Sequence, residues 1–592
     1  MAHPSRFAVG PARFTMLVML GGALSLAPFY LLADLRGLAC AAAATGALLV
    51  GLSALGLVRP AWRMLGRVAG RRGLAVALVG IVALGVAAGL SLIRPPVPAS
   101  HDEFSYLLAA DTFAQGRLTN PTHPLWEHFE SFHIIHRPTY ASKYPPAQGL
   151  ALAAGQWLTG RPIVGAWLSF ALACSAACWM LQGWTTPRWA LLGGLIAALH
   201  PGFQGGFFPR LAPFLGYSWS QSYWGGAMAM LGGALLYGAL PRIMRRPRAA
   251  YALAIGLGLA LLANSRPFEG LVVSIPAGLA LLGWLLRSKS APILAITMRV
   301  LLPLATALSV AAAATMTYNA AVTGQPLRLP YQVHMDTYES TPMFWWKPLR
   351  LNLSYNNDAM NKFYYGWQTI QYKGQQTLSG WARIHLRWLA GTGAYFVGPL
   401  APALLLLPGA LRRRPVRFAA AAALFLVVVH QICLGMQAHY LAPAAGLFLL
   451  LVAEGLRRLY TLRCGRWRVG RLLALVVAAL VPLELGLAAV ARATYPRGWE
   501  YDRARVAAQL ESTEGRHLVI VRYQPEHNPH IEWVYNRADI DGAKVVWARA
   551  LGPQRDRALL DYFQDRRVWL LDADAQPPRL EPYRPDPTDR RP

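Results

Sequence analysis

Apolar runs of about 15 to 22 residues recur along the chain at 14–33, 37–58, 74–93, 163–182, 224–240, 249–263, 271–286, 300–318, 394–411, 416–435, 441–456 and 472–491, with a shorter one at 189–199. A helix needs about 20 such residues to cross a hydrocarbon core about 30 Å thick, and the shorter runs reach across with tilt or local thinning. The pattern predicts a polytopic α-helical membrane protein of about 13 transmembrane helices. The first run is long and is followed at once by another, so it reads as a retained anchor and not as a cleaved leader. Spans and connections together make a transmembrane domain over 1–491, with two large loops at 94–162 and 319–393. A further loop at 200–223, rich in Gly, Pro and aromatic residues, has the composition of interfacial or re-entrant backbone.

After residue 491 the pattern changes. HLVIVRY (517–523), KVVWAR (544–549) and RVWLL (567–571) read as strands and PQRDRALLDYF (553–563) as a helix, which predicts a small α/β domain over 492–576. The Pro- and charge-rich end, 577–592, reads as a disordered tail.

Charge then orients the chain. Of its 592 residues, 57 are Lys or Arg and 28 Asp or Glu, a net charge of +29. Such an excess can mark nucleic-acid binding, but here its position decides. If the N-terminus is inside and the spans alternate, the inside segments hold the clusters Arg71–Arg72, Arg245–Arg246 and Arg412–Arg414, and no acidic residue. The large outside segments mix both signs. This is the positive-inside pattern of an N-in, C-out protein of the cell (inner, cytoplasmic) membrane, with the α/β domain extracytoplasmic and no nucleic-acid partner. The five cysteines lie in spans or inside segments, and their spacing gives neither a disulfide framework nor a zinc motif.

The chemistry-bearing residues fall on the outer side. SHDEFSY places Asp102 and Glu103 just after the third run, where acidic residues also suit the start of a helix. Neighbours on a helix point about 100° apart, so the two cannot act as a facing acid and base, and one carboxylate at most faces a site. A single base suits a transfer whose leaving group is a phosphate, which needs cations and no proton donor. Arg137 and Lys143, in HRPTYASKYPPAQGL, are such cations, although Lys143 also fits a snorkelling anchor. Arg266 lies in NSRPFEG with Glu269, either as a site residue or as an ion pair. His439 and Tyr440, in MQAHYLAP, suit a site or an interfacial anchor. The first loop also carries His101, His123, His128, His133 and His136. Their spacing fits no closed zinc motif, so the expectation is no metal site and no required cofactor, with a divalent ion as the open alternative.

Three of these features, in this order, carry a resemblance: HDEFSY (101–106), KYPPAQGL (143–150) and HYLAP (439–443). The chain resembles the GT-C superfamily of membrane glycosyltransferases, in its protein O-mannosyltransferase and lipid A aminoarabinose transferase branch. The resemblance implies a GT-C-like fold and transfer of a sugar, with anomeric inversion, from a polyprenyl-phosphate-linked donor to a lipid, glycan or protein hydroxyl at the outer face. Asp102 is similar to that family's catalytic carboxylate, with Glu103 as second candidate. Lys143 and Arg266, and after them Arg137, His439 and Tyr440, would hold the donor phosphate. The acidic pair here follows the third apolar run and not the first.

The sequence thus leads to an inverting polyprenyl-phosphate-sugar glycosyltransferase, of hexosyl or pentosyl type. A transporter or lipid flippase of envelope precursors is the alternative, for which Glu454 and Glu484 are the acidic residues within apolar runs.

Overall fold

The computed structural model describes residues 58–205, 218–287, 293–465 and 468–584. The apolar run at 14–33, nearly all of that at 37–58, and the middle of the aromatic loop at 200–223 lie outside the described residues. Among the described residues, seven helices are long and apolar enough to cross a membrane: Arg72–Ile93, Pro162–Trp184, Gly226–Arg245, Pro267–Arg287, Leu294–Thr323, Ala438–Tyr460 and Val469–Thr494. Two shorter apolar helices, Pro187–Leu199 and Ala249–Ala263, accompany them. The chain is a multi-pass membrane protein.

One predicted span is broken. The helix Leu378–Phe396 ends where the run at 394–411 begins, and short turns at Gly398–Leu400, Ala401–Leu404 and Leu407–Ala410 follow. Pro399, Pro402 and Pro408 each withdraw a backbone donor, and Gly398 has a φ of 47°, a left-handed conformation that ends regular helix.

Small residues let the spanning helices approach closely. A Cβ on Gly233 would lie 1.9 Å from the carbonyl oxygen of Pro443, so the helix Gly226–Arg245 runs directly against the 3-10 segment Ala438–Ala444. That contact fixes the position of His439 and Tyr440.

The loop after the helix Arg72–Ile93 is folded, not extended. It contains the helix His101–Ala114 and three short strands, β1 (Asn120–Pro121), β2 (Ile134–Ile135) and β3 (Thr139–Ser142), in the antiparallel order β1-β3-β2. The helix Pro146–Thr159 leads back to the next span.

The C-terminal sheet comprises β4 (His517–Arg522), β5 (Val545–Arg549), β6 (Arg567–Asp572) and β7 (Arg579–Pro582), in the order β5-β4-β6-β7. The first three are parallel, and β7 runs antiparallel to β6. Arg579–Pro582, assigned from its composition to a disordered tail, is thus an edge strand, held by the exposed ladder of β6. Alternation along β4 explains how the domain is covered on both faces. Val519 and Val521 pack with Val506 and Leu510 of the helix Trp499–Ser512. Leu518 and Ile520 share a core with Phe104, Leu108, Phe129 and Tyr140 of the first loop. The sheet is therefore docked on that loop and not tethered beside it.

The docking is specific. The rings of Phe104 and Tyr535 stack with centroids 4.0 Å apart, and Arg503 lies over Phe104 at 4.7 Å. Ala538 donates its amide to Asp111 at 2.8 Å, and Arg94 donates to the Tyr501 hydroxyl at 2.7 Å. Truncating a buried aromatic of this kind costs about 3–5 kcal/mol. Phe104→Ala is expected to lower the apparent unfolding temperature in detergent and to open the linker near residue 495 to protease. Unchanged digestion would contradict the shared core.

Candidate active site

Asp102 and Glu103 occupy the first turn of the helix His101–Ala114 and face different ways. Ser100 caps the helix, and Glu103 completes a capping box. Glu103 Oε2 accepts from the amides of Ala99 at 2.9 Å and Ser100 at 3.2 Å, and Oε1 accepts from the Tyr223 amide at 3.1 Å. Burial pushes Glu103 up to about 7, against the pull of those backbone donors. Both its oxygens are committed to holding the chain.

Asp102 points the other way and keeps 20% of its side chain exposed. The Tyr144 hydroxyl donates to its Oδ1. Burial raises its pKa, while the Tyr144 hydrogen bond and the charges of Lys143 and Arg266 hold it down. His133 Nε2 stands 3.9 Å from Oδ2. Burial, and then the Lys143 ammonium, push His133 well below its ordinary value, so this is a polar contact of a neutral imidazole and not an ion pair. His133 has a φ of 61°, in the left-handed region that few residues other than glycine adopt. Its carbonyl is pinned by the Ser105 hydroxyl at 2.6 Å and the Lys143 amide at 3.2 Å, which holds the turn in that conformation.

Lys143 follows β3 and precedes Pro145 and Pro146, which start the next helix. Only 4% of it is exposed, so it is no snorkelling anchor. Its ammonium donates to Glu339 Oε1 at 3.1 Å and lies 5.0 Å over the Tyr331 ring and 5.4 Å over that of Tyr144. Glu339 also meets His334 Nδ1 at 3.2 Å, and His334 Nε2 meets the Tyr364 hydroxyl at 3.1 Å. Against burial, which raises it, Lys143 and His334 bring Glu339 down to about 2.

Arg266 lies in the turn between the helices Ala249–Ala263 and Pro267–Arg287, with its guanidinium 4.0 Å over the Tyr440 ring. Tyr144 joins Asp102 to Lys143, its hydroxyl donating to the carboxylate while the ammonium stands 5.4 Å over its ring, and the charge of Arg266, like that of Lys143, also reaches Asp102. His439 sits behind them, edge-on to Trp224 at 4.6 Å. Arg137 does not join the group: it is exposed and lies over Trp126 at 5.5 Å.

The histidines of the first loop are spread over separate tasks. His101 Nδ1 meets the Tyr535 hydroxyl at 2.7 Å, His123 Nε2 meets Asp541 at 3.1 Å, and His128 Nδ1 meets the Arg549 carbonyl at 2.9 Å. These three bind the C-terminal domain. His136 accepts from the Ser131 amide at 3.3 Å. Among the described residues, no three His, Cys, Asp or Glu side chains gather in a group able to hold a metal.

Sequence reasoning missed Tyr144, Tyr331, His334 and Glu339. Tyr144 adjoins a residue already singled out and carries a hydroxyl, which is a usable signal. Glu339 lies 196 positions from Lys143, in a segment whose pattern sets it apart in no way.

No family model matches the chain, and no curated protein matches it. Among solved structures, the chain is similar to ArnT from Cupriavidus metallidurans bound to undecaprenyl phosphate, with 14% identity over 84% of this chain and 92% of that one and a TM-score of 0.46. It is similar also to the oligosaccharyltransferase of Archaeoglobus fulgidus in the apo form, with 11% identity over 84% of this chain and 69% of that one and a TM-score of 0.45.

Proposed function

We propose that this protein is an inverting glycosyltransferase that moves a sugar from a polyprenyl-phosphate-linked donor to an acceptor hydroxyl. One observation carries the reading: a partly open carboxylate, Asp102, accepts from the Tyr144 hydroxyl, over whose ring the Lys143 ammonium stands at 5.4 Å, and the Arg266 charge reaches it too. Asp102 takes the proton of the acceptor hydroxyl as that oxygen attacks the anomeric carbon. The bond from that carbon to the phosphate oxygen breaks, and the polyprenyl phosphate leaves with the electron pair. Lys143 and Arg266 stabilise the charge that develops on it, and a single displacement inverts the anomeric configuration. Tyr440 orients Arg266, and His439 supports that segment. No step calls for a metal. The basic segments at the opposite helix ends, with Arg242, Arg245, Arg413 and Arg457, favour a cell-membrane protein with this site and the C-terminal domain outside.

In this reading Glu103 holds the helix start and does not touch the substrate. Glu103→Ala removes a helix cap worth about 1 kcal/mol and also leaves the Tyr223 amide without its acceptor. The variant is expected to unfold at a lower temperature while keeping, per folded molecule, activity within about tenfold of the parent, a margin below the 10²- to 10⁴-fold loss of a catalytic base. Complete inactivity of a folded variant would assign it to the chemistry instead.

Glu484 favours the transport alternative, being buried in the helix Val469–Thr494 with an oxygen that has no hydrogen-bond partner among the described residues. Glu454 does not, because Thr185, Arg413 and Arg457 engage it at 2.6, 2.7 and 3.2 Å. Comparing lipid, glycan and glycoprotein profiles of cells with and without the gene separates the readings. A single missing sugar decoration supports transfer, and unchanged profiles support transport.

A further inference from the structure

The proposed chemistry uses Lys143 and leaves its counter-ion without a role. Lys143 is only 4% exposed and Glu339 8%, and they meet at 3.1 Å. An ammonium withdrawn from water stays protonated only where an acceptor compensates its charge.

The partners of Glu339 fix its own position. An ionised carboxylate only accepts, so His334 Nδ1 must be the donor at 3.2 Å. His334 is held neutral, at about 4, by burial and by Lys143. Its Nε2 is therefore the acceptor, and the Tyr364 hydroxyl donates to it at 3.1 Å. Tyr364 is itself buried between Phe132 and Tyr338. A chain of three side chains thus runs from a packed aromatic core to the Lys143 ammonium. The ammonium has three donors, of which Glu339 takes one, and the faces of Tyr331 and Tyr144 flank it.

We propose that Glu339, oriented by His334 and Tyr364, is the positioning residue of the donor-phosphate subsite, holding the Lys143 ammonium in place and aiming its remaining donors at the phosphate. This rests on the reading of Lys143 as a phosphate ligand. The other groups acting on Lys143 do not replace Glu339. His101, His133 and His334 are neutral, Arg266 carries the same sign, and Asp102 already accepts from Tyr144.

The test is equilibrium binding of undecaprenyl phosphate to the full-length protein in nanodiscs at about pH 7.5, above the second ionisation of a phosphate monoester at about 6. Glu339→Gln keeps the volume and one acceptor but removes the counter-charge that holds the ammonium, so its affinity should fall about tenfold or more. Glu339→Asp keeps the charge and should recover most of that loss, a rescue that a purely structural role for Glu339 would not require. Tyr364→Phe leaves both charges in place and should weaken binding about two- to tenfold, the worth of one neutral hydrogen bond. A folded Glu339→Gln variant with the parent's affinity would overturn the proposal. If the parent binds no undecaprenyl phosphate, the donor reading itself fails.

Discussion

Asp102→Asn is expected to abolish sugar transfer while the protein still accumulates in the membrane at the parent's level. The amide keeps the size of the carboxylate but cannot take a proton, and losing a general base costs about 10²- to 10⁴-fold in rate. The measurement is complementation: the variant is expressed in cells lacking the gene, and recovery of the missing decoration is scored against protein level by immunoblot. Recovery at the parent's rate would remove Asp102 from the chemistry. The pH dependence has a definite sign. Only the ionised carboxylate is a base, so the rate falls as pH drops through its pKa, and burial places that acid limb above the ordinary aspartate range near 3.9. The Tyr144 hydroxyl stabilises the ionised form. Tyr144→Phe should therefore move the acid limb to still higher pH, whereas a purely structural role for Tyr144 would leave it in place.

Lys143→Ala carries the second large effect, and it has two parts. A charged hydrogen bond to the donor phosphate is worth about 1.5–3 kcal/mol, or roughly 10- to 150-fold in affinity. Independently, the substitution strands Glu339, whose side chain is only 10% exposed; breaking a buried pair from one side costs about 3–5 kcal/mol of stability. The double variant Lys143→Met, Glu339→Met separates the two. Replacing both charges by apolar groups should return most of the unfolding temperature lost in Lys143→Ala, while undecaprenyl phosphate binding stays lost. Recovery of binding in the double variant would show that Lys143 acts only through the fold.

The C-terminal domain also takes on a defined place. His101, His123 and His128 bind it to the first loop, and its Tyr535 stacks on Phe104, two residues from Asp102. The domain is thus part of the wall that holds the helix His101–Ala114. Of the first loop's histidines, His101, His123 and His128 each reach a hydroxyl, a carboxylate or a carbonyl of the C-terminal domain, whereas His136 takes the nearby Ser131 amide.

The sequence by itself determined what depends on neighbours along the chain. Length and hydropathy mark the seven long apolar helices among the described residues. Alternation marks β4, β5 and β6 to within a residue or two, and the SHDE start sets Asp102 and Glu103 on different sides of one helical turn. Tertiary structure decided what depends on partners far away. It gave Glu103 Oε1 to the Tyr223 amide, buried Lys143 against Glu339, left Arg137 apart and drew Arg579–Pro582 into the sheet. Backbone periodicity and capping are local, so a short window carries them. The protonation, exposure and direction of a buried charge are set by groups that packing brings together, here across 196 positions, and no local pattern records that meeting.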